Sequence, residues 1–288
     1  DWSSDVCSSD LTDAMNQDAE VTVEYQNQVA IVRLNRPDRL NAWNNKISAG
    51  LDAALQQVTE DQAVRSVIIT GNGRAFCAGA DLSGGGDTFD PDRTRDPDDR
   101  SEERTPQFLP IDVTKPVIAA INGPAVGVGA TYPLLCDIRI ASQSARIGFV
   151  FNRIGMLPEL GSHSLLPRIV GFSNAAQLLM GGEIIDANTA LSMGLVSQVY
   201  PDEDLLEQAI ALAERLSVAA PVSVAASKRL LWEGLSLSWE EMHNKETPIF
   251  NWVAQQPDSV EGVTAFLEKR TANWSMDPSR DLPKELFD

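Results

Sequence analysis

One stretch, residues 118–137, constrains this chain more than any other. Its apolar run Ile118-Ala119-Ala120-Ile121 reads as a strand and ends in Asn122-Gly123-Pro124, a strong signal for a change of chain direction. Gly127 and Gly129 follow on alternate positions, and a small, apolar run to Cys136-Asp137 reads as a buried helix. Strand, glycine turn and helix start together leave backbone N–H groups without intrahelical partners at the first turn. Such groups suit an anion or a developing negative charge. A tight crossover in which only glycine packs accounts for the same residues, and a short glycine pattern alone does not separate the two readings.

Around this stretch the chain alternates strand and helix patterns. Residues 21–25 and 29–34 read as two strands of a hairpin, and Ile47, Leu51, Ala54, Leu55 and Val58 recur at helical spacing. Val67-Ile68-Ile69-Thr70 reads as a short buried strand, so strand, helix and strand imply a crossover and a partly parallel sheet. Further short strands are expected over 137–141, 145–149 and 197–200, with helices near 162, 173–180 and 187–193. From residue 205 the pattern is helical only, which suggests a helical appendage whose apolar stripe serves as a subunit interface. Residues 1–19 lack any periodic pattern and are set aside as a disordered or foreign extension. The expected organisation is therefore 1–19 extension, 20–203 α/β core and 204–288 helical region.

Composition removes several classes of function. A formal net charge of −18 disfavours nucleic acid and anionic membranes as partners. Cys7, Cys77 and Cys136 have neither paired nor metal-type spacing, which fits a reducing compartment. His163 and His243 are too few and too scattered for a histidine-rich metal site. No apolar run approaches the roughly 18 residues of a membrane span, and no signal-peptide pattern opens the chain. The expectation is a soluble, cytoplasmic protein without metal, membrane or nucleic-acid partners. Residues 83–105, rich in Gly, Asp and Arg, read as a mobile surface loop with Asp96, Asp98, Asp99, Arg100, Glu102, Glu103 and Arg104 on a solvated face.

Several separated segments together resemble the signatures of the enoyl-CoA hydratase/isomerase family, the crotonase superfamily. The two main ones are residues 74–82 (Arg-Ala-Phe-Cys-Ala-Gly-Ala-Asp-Leu) and the glycine stretch itself. The pieces Leu34-Asn35-Arg36-Pro37 with Leu40-Asn41-Ala42, Leu166-Pro167-Arg168-Ile169-Val170-Gly171, and Glu261-Gly262 with residues 265–270 resemble it as well. The likeness runs from about residue 21 to 274. It implies a crotonase-like α/β spiral of repeated ββα units with a C-terminal helical trimerisation region, and a homotrimer or dimer of trimers. It also implies an acyl-CoA thioester substrate, with coenzyme A carried as part of the substrate and no separate cofactor. Two backbone N–H groups that hold the thioester oxygen in the family fall on Ala80 and Val128. Contacts to coenzyme A fall on Arg39, Leu40, Ala42, Ala78, Asp81 and Leu82. Phe266 and Lys269 resemble late residues that help hold the adenine and phosphate groups, although a solvated helix-end lysine is an equal reading of Lys269.

The resemblance also bears on the reaction. Family hydratases use two glutamates at positions that here hold Thr131 and Phe151, neither of which activates water in that way. Glu159, set among Leu157, Pro158 and Leu160, resembles instead the single carboxylate of some double-bond isomerases of the family. An aspartate in a similar Leu-Val-Pro-Asp setting occurs in a ring-opening isomerase. One carboxylate with its pKa raised by an apolar setting can take a proton from C2 and return it to C4. A helix-capping glutamate is the competing reading. Asp137 reads as a turn cap, His163 as a packed or cap-region histidine, and Cys77 and Cys136 as small buried hydrophobes. The expected activity is enoyl-CoA isomerisation. A hydratase with atypical water activation and a non-catalytic acyl-CoA-binding homologue are the alternatives.

Overall fold

The computed structural model describes residues 19–90, 108–283 and 285. Most of the N-terminal extension with Cys7, and the charged residues 96–104, lie outside the described residues. Strands β1 (Val21–Gln26) and β2 (Val29–Leu34) form the expected antiparallel hairpin. Helix α1 (Asn45–Glu60) begins where the Asn44 side chain accepts the Ile47 N–H at 2.9 Å, and it buries Ile47, Leu51, Ala54, Leu55 and Val58. The chain continues through β3 (Ser66–Gly71), β4 (Val117–Ile121), β5 (Pro124–Val126), α2 (Val128–Thr131), β6 (Ile138–Ser142) and β7 (Arg146–Gly148). α3 (Ser162–Val170), α4 (Phe172–Gly181), β8 (Ile184–Asp186), α5 (Ala187–Ser192) and β9 (Gln198–Tyr200) follow. α6 (Leu205–Ser217), α7 (Pro221–Glu233), α8 (Trp239–Ala254), α9 (Pro257–Glu268) and α10 (Pro278–Asp281) complete the order.

Six strands form one sheet in the order β1-β2-β3-β4-β6-β9, parallel from β2 onward. β5, β7 and β8 form a second, smaller sheet. The central strands read as unbroken apolar runs because both faces of the large sheet are covered. Ala30, Val32, Val67, Ile69, Val117 and Ala119 join α1 in the larger core, while Val29, Ile31, Ile68, Ile118 and Ala120 pack with Leu205, Ala209 and Ala213 of α6. Side chains alternate faces at every step, as the pleat requires.

Three expectations are corrected. The run after Gly129 is not a continuous buried helix: α2 is one turn of four residues, followed by a 3-10 turn over Tyr132–Leu135. Pro133 has no N–H to extend the α-helical ladder. Asn122-Gly123-Pro124 does not close a hairpin but hands the chain from β4 to β5, that is, from one sheet to the other. Finally, the helical region does not begin as an appendage, since α6 is the layer that covers one face of the sheet.

The helical region is fastened to the core by a buried polar cluster. Lys228 of α7, 7% exposed, donates to the carbonyl oxygens of Pro110 (2.8 Å) and Lys115 (3.0 Å) and pairs with Asp137 at 2.9 Å. Asp137 also accepts the Val117 N–H and the Trp232 Nε1–H, each at 2.7 Å. Asp137 therefore bridges three elements rather than capping its own turn. Removing one member leaves a buried charge without its partner. Lys228→Met keeps much of the hydrocarbon while deleting the ammonium. It is expected to cost about 3–5 kcal/mol in chemical denaturation, and a loss below about 1 kcal/mol, the range of an exposed pair, would contradict this account.

Candidate active site

Two loops build the first half of the site. Leu40 and Asn41 both take left-handed backbone angles, φ 51° and 55°, a conformation that asparagine tolerates because its short amide bonds locally. Asn41 is fully buried; its Oδ1 accepts the Arg36 N–H at 2.8 Å, and its Nδ2 donates to the carbonyls of Asn72 (3.0 Å) and Ala75 (2.8 Å). The Arg36 guanidinium donates to the Ala42 carbonyl (2.6 Å) and pairs with Asp81 (2.9 Å). The Ser83 backbone N–H and, after it, Arg36 hold the Asp81 carboxyl below its ordinary range. Backbone bonds from Ala78 N to Leu40 O (3.0 Å), Trp43 N to Gly79 O (2.8 Å) and Asp81 N to Trp43 O (2.8 Å) zip the two loops into a short parallel ladder. The Ala80 N–H points away from this ladder and has no partner among the described residues.

The second half is the glycine stretch. Cys77 and Val126 pair through a Val126 N–H to Cys77 carbonyl bond of 2.9 Å, and the Gly127 N–H donates to Gly148 O at 2.9 Å. Gly127, at φ 58°, lies against Gly79: a β-carbon on it would stand 3.5 Å from the Gly79 Cα. At Gly129 a β-carbon would stand 2.2 Å from the Cys77 carbonyl oxygen, so only glycine fits. Val128, the first residue of α2, is buried, and its N–H has no partner among the described residues. The fold thus brings two unpartnered N–H groups onto adjacent turns, a pairing able to bind an oxygen on which negative charge grows.

Residues near these turns are mostly unreactive. Thr131 is fully buried, and its hydroxyl leans back to the Val128 carbonyl at 3.4 Å. Phe151 is 8% exposed, with its ring edge 4.0 Å from where a Gly127 β-carbon would lie. Cys77 and Cys136 are fully buried, and burial pushes both thiols up to about 12. Tyr132 is buried, its hydroxyl has no partner among the described residues, and its ring lies 4.9 Å from that of Trp43; burial raises its pKa well above the ordinary phenol value.

Glu159 differs from all of these. Gly161, not Glu159, occupies the position before α3, and that helix start has no side-chain cap. The Glu159 carboxylate has no hydrogen bond or ion pair among the described residues, so the capping reading fails. The residue as a whole is exposed, yet its carboxyl is shielded enough that desolvation raises its pKa. His163 is exposed and makes no bond to it.

Arg39, Leu40, Ala42, Ala78, Asp81 and Leu82 lie along or beside one ribbon, with Arg39 on an exposed 3-10 turn and Leu82 opening another. Phe266 and Lys269 are both exposed near the end of α9 and make no hydrogen bond or ion pair to these loops among the described residues. Sequence reasoning did not single out Arg36, Asn41 or Trp43 as braces. A left-handed asparagine beside a proline turn was a readable hint for Asn41. The Arg36–Asp81 pair spans 45 residues and left no local signal.

A model of the enoyl-CoA hydratase/isomerase family matches residues 24–277. The 2,3-dehydroadipyl-CoA hydratase of Escherichia coli K12 is 34% identical over 256 residues, covering 89% of this chain and 98% of that protein. The 1,2-epoxyphenylacetyl-CoA isomerase of the same organism is also 34% identical, over 258 residues, 86% of this chain and 95% of that protein. The crystal structure of an enoyl-CoA hydratase from Bacillus anthracis superposes with a TM-score of 0.80 at 33% identity, covering 88% of this chain and 98% of that one. These similarities carry the expected crotonase fold.

The glycine packing generates a direct test. Gly129→Ala forces the Cys77 backbone away from α2, an overpacking that costs about 1–3 kcal/mol and moves the Ala80 and Val128 N–H groups out of register. We expect a lowered Tm together with weakened thioester binding by calorimetry. An unchanged Tm and affinity would show that the close approach is dispensable.

Proposed function

The chain belongs to the enoyl-CoA hydratase/isomerase family, and from that premise we propose that it is an enoyl-CoA double-bond isomerase with Glu159 as its single acid/base. Membership makes it an enzyme acting on acyl-CoA; the choice of reaction is our reading. The observation that carries it is the contrast between one carboxylate, Glu159, whose pKa is raised by desolvation and which has no side-chain partner among the described residues, and the two unreactive positions Thr131 and Phe151. In this reading the ribbon of Arg39, Leu40, Ala42, Ala78, Asp81 and Leu82 binds coenzyme A, with Phe266 and Lys269 as further contacts. The Ala80 and Val128 N–H groups hold the thioester oxygen. Glu159 takes a proton from C2 of a 3-enoyl-CoA, the negative charge spreads to the thioester oxygen, and the proton is delivered to C4. Fixed donors are effective here because they need no reorganisation as charge develops, and losing one typically costs ~10²–10³ in rate.

The similarity to 1,2-epoxyphenylacetyl-CoA isomerase supports this choice, while the similarity to 2,3-dehydroadipyl-CoA hydratase favours hydration as the second reading. We further propose a homotrimer, or a dimer of trimers, formed through the helical region. Exposed Trp239, Phe250, Val260, Val263 and Leu267 on α8 and α9 support an apolar contact there.

Assays with 3-enoyl-CoA and 2-enoyl-CoA, run separately, distinguish the readings. Conversion of the first without hydration of the second is expected; hydration alone contradicts isomerisation, and neither reaction points to a silent acyl-CoA binder. Glu159→Gln should lower kcat by about 10²–10⁴-fold, and undiminished isomerisation by this variant would remove Glu159 from the mechanism. The base must be ionised, so kcat/KM should fall with decreasing pH through a pKa above the ordinary glutamate value. Because the folded-state pKa is raised, the carboxylate's desolvation opposes folding above that pKa and vanishes below the unfolded one. Glu159→Gln should therefore be no less stable than wild type at neutral pH by thermal unfolding.

A further inference from the structure

The face of the large sheet that α6 covers changes character at its carboxyl end. Ile31, Ile68, Ala120 and Ile140 pack with α6, but two residues further along each chain, on the same face, come Arg33, Thr70, Asn122 and Ser142. Here α6 only begins, at Leu205, and a cavity of about 390 Å³ lies between its start and the ends of the strands. Arg33, Asn72, Arg74, Asn122, Ser144 and Asp202 supply its polar lining. The size is that of a small-molecule site, and the carboxyl ends of parallel strands are where open α/β sheets carry ligand crevices.

Most of this lining is already fixed by the fold. Asn122 accepts the Gly71 N–H at 3.0 Å and donates to the Gly73 carbonyl at 2.9 Å. Asn72 donates to the Asn35 Oδ1 at 2.8 Å, and Asp202 accepts the Ser144 N–H at 2.9 Å. The two guanidinium groups are not used up in this way. The Arg33 side chain is only 20% exposed, yet its one ion pair, from Nε to the exposed Glu24, is 3.3 Å long. Its two Nη groups have no hydrogen bond among the described residues, and Arg74 has neither a hydrogen bond nor an ion pair among them. In a chain of net charge −18, two such cations at one cavity mark a place for an anion. Together they offer more N–H donors than the two oxygens of a carboxylate can take, and the three terminal oxygens of a phosphate ester match them better. Asp202 adds an acceptor, which suits a hydroxyl group and disfavours a second phosphate.

We propose that this cavity binds a small phosphorylated, hydroxyl-bearing molecule, its phosphate held by Arg33 and Arg74 and a hydroxyl by Asp202. The site is separate from the ribbon assigned to coenzyme A. Trp43, Phe76 and Cys77 of the ribbon segments pack into the core on the α1 face of the sheet, whereas Arg33 and Thr70 lie on the α6 face. The proposal therefore stands whichever reaction the family site runs.

Calorimetric titration of the full chain with ribose 5-phosphate tests it, with ribose as the uncharged control and a parallel titration in saturating coenzyme A. Ribose 5-phosphate should bind, ribose should not, and coenzyme A should leave the affinity unchanged. Arg74→Met alters an exposed side chain and should weaken binding by about 10–100-fold, the loss of one hydrogen bond to a charged group. Arg33→Met should do the same, with thermal unfolding to confirm its fold; if it unfolds, Arg74→Met decides alone. Absence of binding by ribose 5-phosphate at millimolar concentration overturns the proposal. So does binding that ribose matches, that coenzyme A abolishes, or that Arg74→Met leaves unchanged.

Discussion

Two segments of backbone run side by side where Gly129 rests on the Cys77 carbonyl and Gly127 rests on Gly79. The Val126 N–H donates to Cys77, and the Phe76 and Cys77 N–H groups reach Pro124 O. This contact joins the two signature segments, which lie some fifty residues apart in sequence, and it sets the separation of the Ala80 and Val128 donors. Side chains at these two positions contribute shape alone. In the proposed function the chemistry depends on the direction of two peptide groups, and peptide direction is held by the hydrogen bonds on either side. Ladder bonds from Ala78 and Asp81 hold the backbone before and after Ala80, and bonds from Gly127, Ala130 and Thr131 hold the turn around Val128. The Ala80 and Val128 N–H groups have no partner among the described residues.

Around this contact the braces are polar and buried or half-buried. Asn41 ties the Leu40 loop to Asn72 and Ala75, while the Asn122 amide accepts from Gly71 N and donates to Gly73 O. Arg36 clamps Ala42 and Asp81 together. At the far end of the glycine stretch, Asp137 meets Lys228 and Trp232 of α7. The helical region is thereby anchored to the segment that carries Val128.

Much of this was legible in the sequence, for identifiable reasons. Strands β2, β3 and β4 stood out because a sheet covered on both faces is apolar at every position, and α1 because its stripe follows the helical period. The glycine stretch was readable as a turn, and only the second signature segment made free donors the better reading of it than close packing. β5 and β8 were not readable, because Pro124-Ala125-Val126 lies inside a turn-and-glycine pattern and Ile184-Ile185-Asp186 lies between two helix patterns. The place of α6 was misread because an amphipathic stripe names a buried face without naming what it packs on. Glu159 was visible as a carboxylate among apolar neighbours, but only the position of Gly161 before α3 separates it from a cap. Pairs such as Asp137 with Trp232, 95 residues apart, are products of the fold and leave no trace in one chain's local pattern.

The central claim is that the close glycine contact aims two peptide N–H groups at one thioester oxygen, with Glu159 as the base beside it. A crystal structure of the protein with a bound acyl-CoA tests this most directly. The account predicts the thioester oxygen within hydrogen-bond distance of both Ala80 N and Val128 N, and the Glu159 carboxylate facing C2 and C4. A thioester oxygen held by other groups, or Glu159 turned away from the acyl carbons, would contradict it.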